Sequence, residues 1–338
     1  MDFHPQFGKP LILTRRMPRP HMPDLKYFPI NHSDEAFLFP LMEEEERIWM
    51  SDLGWDYSPI RQILASFVKQ KQLPGYVALN PQRAIGYTYF LINQAKGIIG
   101  TLYASDTNQS QEAVEQLLSL TISCLKNSQG IQRIESQIMP FHNRGISSTF
   151  TQHGFNYYPR YYLDLSLDTM PKNSDLYSEE KIVPWSLDYL ERAAEMTVIS
   201  YRNQTDAEIC EDYRTKSGCE GYVRSLVENP ACGIFMPKAS FISLDKQGSS
   251  CGFIICSRIS TQVAMIPQIA VHPSYQGRGL GNSLIHRSLK ELKASGFHTV
   301  SLMVTEKNRR AFDWYRRLGF KIRKEFGAYV WQRQPDDE

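Results

Sequence analysis

The sequence lacks the features that mark membrane, secreted and nucleic-acid-binding proteins. It contains no run of about 18 apolar residues, which excludes a membrane-spanning helix. Residues 1–23 have no apolar stretch of about seven to fifteen residues, so we expect no secretory signal. Its 38 basic and 36 acidic residues give a net charge of +2 without a dense basic block, which argues against a nucleic-acid partner. We therefore expect a cytoplasmic protein without a membrane or nucleic-acid partner.

Closely spaced cysteines are also missing. The six cysteines are scattered, with no Cys-x-x-Cys pair and no histidine cluster beside them, which favours reduced thiols and no bound metal. With 42% hydrophobic and 22% charged residues, the chain can build ordinary cores. At 338 residues it is long enough for two domains of about 150 residues each.

The second half of the chain has clear strand and helix patterns. Strands are predicted at 239–244, 251–259, 262–271, 299–304 and around 328–331, and helices at 187–202, 208–227, 280–295 and 308–318. A strand, helix and strand in succession share one sheet only through a crossover, whereas the short turns before them favour antiparallel pairing. We therefore predict a mixed, mostly antiparallel sheet flanked by helices, of the α/β (α+β) class.

The first half repeats this pattern about 165 residues earlier. Asn143-Arg144 precedes Gly154-Phe155 as Asn308-Arg309 precedes Gly319-Phe320, and Phe150 stands where Tyr315 stands. Strands at 84–92, 97–104, 132–139 and 157–167 and a helix at 111–126 complete the match. Two tandem copies of one fold are the simplest explanation.

A glycine-rich loop distinguishes the second copy. Gly277, Gly279 and Gly281 stand between a predicted strand and a predicted helix, where backbone N–H groups and the helix dipole favour an anion. The spacing is neither that of dinucleotide folds nor that of a P-loop. In the first copy, residues 111–116 (QEAVEQ) contain no glycine and two carboxylates, which predicts that this copy does not bind a phosphate there.

Two segments resemble the signatures of the GNAT superfamily of N-acetyltransferases. They are IAVHPSYQGRGLG at 269–281 and NRRAFDWYRRLGF at 308–320. The resemblance is good over about residues 183–333 and only general over 30–168. It implies two tandem GNAT folds, with an N-terminal extension at 1–29, a degenerate GNAT-like domain at 30–170 and a catalytic domain at 180–338. The tandem layout is similar to that of duplicated members of the superfamily such as mycothiol synthase.

The resemblance also implies how acetyl-CoA, the co-substrate, is held between two splayed parallel strands. The backbone of Ile269, Ala270 and Val271 would pair with the pantetheine arm and polarise the thioester carbonyl. Asn308 and Phe312 would line that arm, and the Tyr315 phenol would protonate the departing thiolate. The pyrophosphate would lie on a loop whose members are Gln276, Gly277, Arg278, Gly279, Leu280, Gly281 and Asn282.

The general base is the gap in this pattern. Many GNAT relatives carry a glutamate where this sequence has Gln268, and an amide cannot accept a proton. A water chain, Glu306 or a carboxylate of the 206–220 region remain as alternatives, and His272 is expected to be structural. The acidic residues of 206–220 and those of 43–46 are both expected to be solvated helix faces.

Three functions remain open at this point. We expect an acetyl-CoA-dependent N-acetyltransferase that acts on a primary amine of a small molecule or peptide, with one cofactor per chain. A CoA-binding or ligand-sensing protein without turnover is the alternative, which Gln268 favours. The first copy could instead serve as a docking surface for a protein or peptide acceptor. A homodimer is one oligomeric state that the sequence leaves open.

Overall fold

The computed structural model describes residues 25–107, 109–139, 146–169 and 180–334. The first half of the chain has the following strands and helices: β1 (Lys26–Pro29), α1 (Glu35–Leu53), α2 (Ser58–Lys69), β2 (Gly75–Leu79), β3 (Ala84–Asn93), β4 (Lys96–Ala104), α3 (Ser110–Asn127), β5 (Arg133–Ile138), α4 (Ile146–Gln152) and β6 (Asn156–Ser166). The predicted repeat pair Asn143-Arg144 lies outside the described residues.

The second half continues with a similar order of elements. Its strands and helices are β7 (Lys181–Pro184), α5 (Leu190–Tyr201), α6 (Asp206–Ile209), α7 (Lys216–Glu228), β8 (Ile234–Phe235), β9 (Phe241–Leu244), β10 (Ser250–Arg258), β11 (Val263–Val271), α8 (Leu280–Ala294), β12 (Thr299–Thr305), α9 (Arg309–Arg317) and β13 (Lys321–Gln332). Short 3-10 helices, among them Glu211–Arg214 and Pro273–Tyr275, lie between them.

The single helix predicted at 208–227 is wrong. The structure has α6, a 3-10 turn and α7 there, because Cys210 and Thr215 both have extended backbones. Thr215 caps α7, since its hydroxyl accepts a hydrogen bond from the Gly218 N–H at 3.0 Å. The break turns the acidic stretch back towards the sheet, which the helical spacing did not reveal.

The strands form one continuous mixed sheet. Its order in the described residues is β1-β2-β3-β4-β5-β13-β6-β12-β11-β10-β9-β7, with β8 beside β10. The last strands of the two halves are exchanged, because β13 pairs with β5 and β6 while β6 pairs with β12. The predicted mixed sheet flanked by helices is therefore confirmed, but neither of the stretches 30–170 and 180–338 contains a complete sheet of its own. The final strand is longer than predicted because β6 pairs along most of it.

Helices cover both faces of the sheet. On one face α8 packs against β10 and β11, and α3 packs in the same way against β2, β3 and β4. On the other face α1 lies over β3, and α5 lies over β10 and β11. The apolar side of α8 is fully buried, as its periodicity predicted. No helix in the described part of the chain is long and apolar enough to cross a membrane.

Candidate functional site

A cavity of about 450 Å³ opens where β11 and β12 separate. The two parallel strands pair from Val263 opposite Thr299 as far as Ile266 opposite Leu302, and their pairing ends there. Pro267 follows directly and has no N–H to continue the ladder. Beyond it β11 stays paired with β10 only, through Gln268 to Val271, so its other edge faces the cavity.

Most of the predicted site residues line this cavity. They are Ile269, Ala270, Val271, Gln276, Gly277, Gly279, Gly281, Asn282, Asn308 and Tyr315. Three others do not. Leu280 is buried in the core, Arg278 lies over the Tyr275 ring at 5.5 Å, and Phe312 packs against Tyr161 with ring centroids 5.0 Å apart.

The glycine loop is held open by its backbone. Gly277 and Gly279 have φ values of +79° and +88°, which L side chains rarely adopt, and a Cβ at either position would meet no atom within 4 Å. Gly279 is the N-cap of α8, whose first N–H groups have no partner within the helix. The loop therefore leaves room for a group to approach these N–H donors.

Side-chain hydrogen bonds fix the rim of the loop. Gln276 donates from Nε2 to the Val271 carbonyl at 2.9 Å and accepts at Oε1 from Arg310 at 2.6 Å. Trp314 donates from its indole to Asn282 Oδ1 at 2.5 Å. Helix α9 is thus tied to the start of α8 across the mouth of the cavity.

Asn308 and Asp206 meet in the lining of the cavity. Asn308 caps α9, since its Oδ1 accepts from the Ala311 N–H at 3.3 Å, and its Nδ2 donates to Asp206 Oδ2 at 3.2 Å. The Thr305 hydroxyl donates to Asp206 Oδ1 at 2.7 Å. Asp206 is only 8% exposed, so the expectation of a solvated helix face is wrong for this residue.

Tyr315 is buried and borders the same cavity. Burial raises the pKa of its phenol well above the usual range, and the negative charge of Asp206 raises it further. The phenol therefore keeps its proton at neutral pH and can act as a donor. This is the state that the resemblance to the GNAT superfamily requires of it.

Gln268 has one satisfied and one unsatisfied polar atom. The Tyr213 hydroxyl donates to its Oε1 at 3.1 Å, whereas its buried Nε2 has no hydrogen-bond partner among the described residues. The residue is 3% exposed and lines the cavity. An amide donor without a partner in a buried site costs about 1–3 kcal/mol, which a bound acceptor group would recover.

The structure distinguishes between the candidates for the general base. Among the described residues that line the cavity, Asp206 is the sole carboxylate. Glu306 does not line it and pairs with Arg309 at 3.2 Å. His272 accepts at Nδ1 from the Ser274 N–H at 3.2 Å and caps the turn before the glycine loop, in line with the structural role expected of it.

The corresponding region of the first copy is filled. Strands β4 and β5 are paired only from Lys96 to Ile99, so they separate as β11 and β12 do. The Tyr89 ring occupies the space over Gly100, since a Cβ there would lie 2.2 Å from Cε2 of that ring. Residues 111–116 lie in the first turns of α3, and Phe150 stacks on Tyr329 with centroids 3.9 Å apart.

Glu45 corrects the expectation of a solvated acidic run at 43–46. Its side chain is fully buried and accepts hydrogen bonds from the Tyr87 hydroxyl, the Thr101 hydroxyl at 2.7 Å and the Trp49 indole at 3.1 Å. Burial raises its pKa, and these three bonds partly offset the rise. Because Glu45 stands among other charged residues, nothing in the sequence indicated that its side chain is buried.

Comparison with known proteins identifies relatives of the second half of the chain. Residues 206–320 match the model of the acetyltransferase (GNAT) family. An uncharacterized N-acetyltransferase of Methanocaldococcus jannaschii is 31% identical over 115 residues, which cover 32% of this chain and 48% of the relative. The [ribosomal protein bS18]-alanine N-acetyltransferase of Haemophilus influenzae is 36% identical over 78 residues, or 22% and 52% of the two chains. The matches thus span about half the length of these two relatives.

Solved structures resemble almost the whole chain. A GCN5-related N-acetyltransferase from Sphaerobacter thermophilus has a TM-score of 0.67 at 14% identity, over 93% of this chain and 98% of the other. A tandem GNAT protein from the clavulanic acid biosynthesis pathway has a TM-score of 0.59 at 12% identity, over 92% and 99%. The chain therefore has the fold of GCN5-related N-acetyltransferases, and its residues 206–320 match the GNAT acetyltransferase family.

Proposed function

We propose that this protein is an acetyl-CoA-dependent N-acetyltransferase that transfers an acetyl group to a primary amine. The observation that carries the proposal is the cavity at the separation of β11 and β12, bordered by the glycine loop and by the buried Tyr315. One site per chain is proposed, in the second half. The 30–170 and 180–338 boundaries and the degenerate character of the first copy stay predictions.

The residues present fit acetyl-CoA as a substrate. The edge of β11 from Ile269 to Val271 faces the cavity and would pair with an extended arm, as the resemblance to the GNAT superfamily implies, although side chains already donate to the Ile269 and Val271 carbonyls. The open loop from Gly277 to Gly281 offers N–H groups and the positive end of a helix dipole to a pyrophosphate. Bound acetyl-CoA would supply an activated acyl carbon and a thiolate leaving group.

The chain's residues divide the proton transfers between them. Asp206 lines the cavity as a carboxylate and would accept a proton from the attacking amine. Backbone N–H groups on β11 would stabilise the charge that develops on the carbonyl oxygen as the C–N bond forms. Tyr315 borders the cavity and is protonated at neutral pH, so it would give its proton to sulfur as the C–S bond breaks.

A CoA-binding sensor without turnover is the second candidate. It is favoured by Gln268, an amide where many GNAT relatives have a glutamate base. It predicts acetyl-CoA binding that is unaffected by Asp206→Asn, and no release of thiol with any amine. The two candidates therefore differ in turnover and agree on cofactor binding.

The experiment is a thermal shift with acetyl-CoA. We expect acetyl-CoA to raise the melting temperature, because a ligand that binds only the folded state stabilises it by mass action. Gly279→Glu should abolish the shift, since a carboxylate would occupy the space proposed for the pyrophosphate. No shift in the unmodified protein would refute cofactor binding for both candidates.

Gly296→Glu is the matched control. Gly296 lies at the other end of α8, has a φ of +89° where Gly279 has +88°, and is equally open to solvent at its Cβ. The backbone strain of the two substitutions is therefore similar. Gly296→Glu should lower the melting temperature by a comparable amount and keep the acetyl-CoA shift.

A further inference from the structure

We propose that the acceptor is a primary amine that also carries a carboxylate, and that Gln268 together with Arg160 binds this carboxylate. The inference rests on the proposed function and adds the chemical class of the acceptor. It starts from two buried donor atoms, Nε2 of Gln268 and Nε of Arg160, which have no hydrogen-bond partner in the part of the chain that the structure describes. Both residues line the cavity between β11 and β12.

The amide of Gln268 contacts Tyr213 on one side. Its Oε1 accepts from the Tyr213 hydroxyl, which leaves the NH₂ group as the end available to a ligand. A glutamate at this position would present an acceptor oxygen instead. With glutamine in place of glutamate at position 268, the cavity wall offers a hydrogen-bond donor there instead of a proton acceptor.

Arg160 comes from the other half of the chain. It lies on β6, opposite Thr305 of β12, so the strand exchange brings it to the cavity of the second copy. Its guanidinium donates from one terminal nitrogen to Gln137 at 2.5 Å and lies over the Phe326 ring at 5.8 Å. The ion pairs found among the described residues do not include Arg160, so its charge has no carboxylate partner there.

The Tyr201 phenol is close enough to both Asp206 and Arg160 to be affected by their charges. Burial raises the pKa of its phenol well above the usual value, the charge of Asp206 adds to the rise, and the Arg160 guanidinium partly offsets it. The Tyr201 ring packs on Tyr213 with centroids 4.6 Å apart, and Tyr213 holds Gln268. Arg160 and Asp206 therefore act on the same aromatic group, beside Gln268.

This distribution of charge suits an amino acid or the equivalent end of a peptide. Arginine and an amide NH₂ are both donors, and a carboxylate accepts from both at once, whereas a neutral amine would leave them unpaired. Asp206 lies near Tyr315, where the amine must attack, so the ammonium and carboxylate groups of one acceptor would each meet the opposite charge. The buried Nε of Arg160 belongs to a charged group, and leaving such a donor unsatisfied costs free energy that an anionic acceptor would recover.

The test compares paired acceptors, one with a free carboxylate and one with its amide, at equal concentrations of the neutral amine, because the amide lowers the pKa of the neighbouring amine. Thiol release from acetyl-CoA would be measured with glycine against glycinamide, β-alanine against its amide, the other amino acids against their amides, and dipeptides against their C-terminal amides. We expect the free carboxylate to raise kcat/KM about 10- to 100-fold within accepted pairs, the range of hydrogen bonds to charged groups. Equal rates, or a preference for the amide, would overturn the proposal.

Variants assign the preference to residues. Arg160→Gln and Gln268→Glu should each raise KM for the carboxylate member, lower the preference about 10-fold or more and leave the acetyl-CoA thermal shift intact. Arg160→Lys should keep part of the preference, because it retains the charge but loses the Nε donor. Arg309→Gln is the control, since Arg309 pairs with Glu306 outside the cavity.

The two proposals fail in different ways. Turnover with neither member of any pair, while acetyl-CoA still raises the melting temperature, would overturn the carboxylate class and leave the cofactor site standing. Loss of the acetyl-CoA shift itself would instead remove the proposed function. Unchanged preference in both Arg160→Gln and Gln268→Glu would show that these donors do not contact the acceptor.

Discussion

In each half of the chain, a pair of parallel strands separates at a matching position. The space between the strands is filled by side chains in the first half and forms a cavity in the second. In the first, β4 and β5 part after Ile99; in the second, β11 and β12 part after Ile266. Counting on from these residues, Thr101 corresponds to Gln268 and Tyr103 to Ala270. Tyr103 is fully buried, whereas Ala270 borders a cavity.

The buried acids of the two halves show the same contrast. Glu45 is enclosed by Tyr87, Thr101 and Trp49, which satisfy its oxygens and separate it from solvent. Asp206 is held by Thr305 and Asn308 and still lines the open cavity. One backbone arrangement can therefore be filled by packed side chains or leave an open cavity, and side-chain volume near the point of separation decides which.

The largest effect is expected from Asp206→Asn. An amide cannot accept the proton of the attacking amine, so turnover should fall by roughly 10²- to 10⁴-fold, the usual contribution of a positioned general base. Thiol release with an accepted amine is the measurement, and the acetyl-CoA thermal shift should persist.

Asp212→Asn is the control for that prediction. Asp212 lies in the same acidic stretch, pairs with Lys96 at 3.2 Å and does not line the cavity. It should leave turnover unchanged. If Asp206→Asn retained full turnover, the difference drawn between Asp206 and Glu45 would have no catalytic meaning, and the base would lie elsewhere.

The next largest effect is expected from Tyr315→Phe, which is compared with the reverse change, Phe150→Tyr, at the matching position of the first half. Tyr315→Phe should lower kcat about 10²-fold, because the leaving thiolate loses its proton donor. Phe150→Tyr should leave turnover as it is and cost about 1–3 kcal/mol of unfolding free energy, since a hydroxyl would enter a buried cluster of aliphatic and aromatic side chains. Kinetics and denaturant unfolding of both variants measure the pair.

The pH profile sharpens the same prediction. Because burial raises the pKa of Tyr315, its phenol stays protonated up to pH 10, and a loss of rate below that pH must come from another group. Tyr315→Phe should therefore lower the whole profile without moving its basic limb. A basic limb that disappears in this variant would contradict the assignment of Tyr315 as an acid with a raised pKa.

Local patterns in the sequence predicted the strand and helix beside the glycine loop well. Strand β11 follows from a short apolar run rich in Ile and Val, the glycine loop from glycines that can adopt positive φ, and α8 from the spacing of Leu280, Leu284 and Leu289. These signals depend on neighbouring residues. The predicted cofactor set was also largely brought together, because most of it lies on this one continuous segment.

What the sequence did not predict depends on contacts between distant segments. Arg160 reaches the cavity only through the exchange of β6 and β13, which no pattern along the chain encodes. Asp206 and Glu45 were expected in solvent because each stands among charged neighbours, and their hydrogen-bond partners Thr305 and Tyr87 are far away in sequence. Phe312 was assigned to the cavity, yet its partner is Tyr161 of the other half.

The smallest effect concerns the enclosed acid of the first half. Burial raises the pKa of Glu45 in the folded protein, so between the unfolded value near 4.5 and this raised value the folded state holds one proton more than the unfolded state. Stability contributed by this proton is present below the unfolded pKa and is lost as pH rises, by about 1.4 kcal/mol per pH unit within that window. Glu45→Gln removes the titration and should flatten this part of the profile.

Denaturant unfolding of both proteins at pH 5 and above measures the difference between them. The variant should gain stability relative to the original chain as pH rises, and acetyl-CoA should still raise its melting temperature because Glu45 does not line the cavity. A difference that does not change with pH would mean that Glu45 is charged in the folded state. The first cleft would then hold a charged acid, and the contrast between a sealed and an open site would rest on Tyr103 and Tyr89 alone.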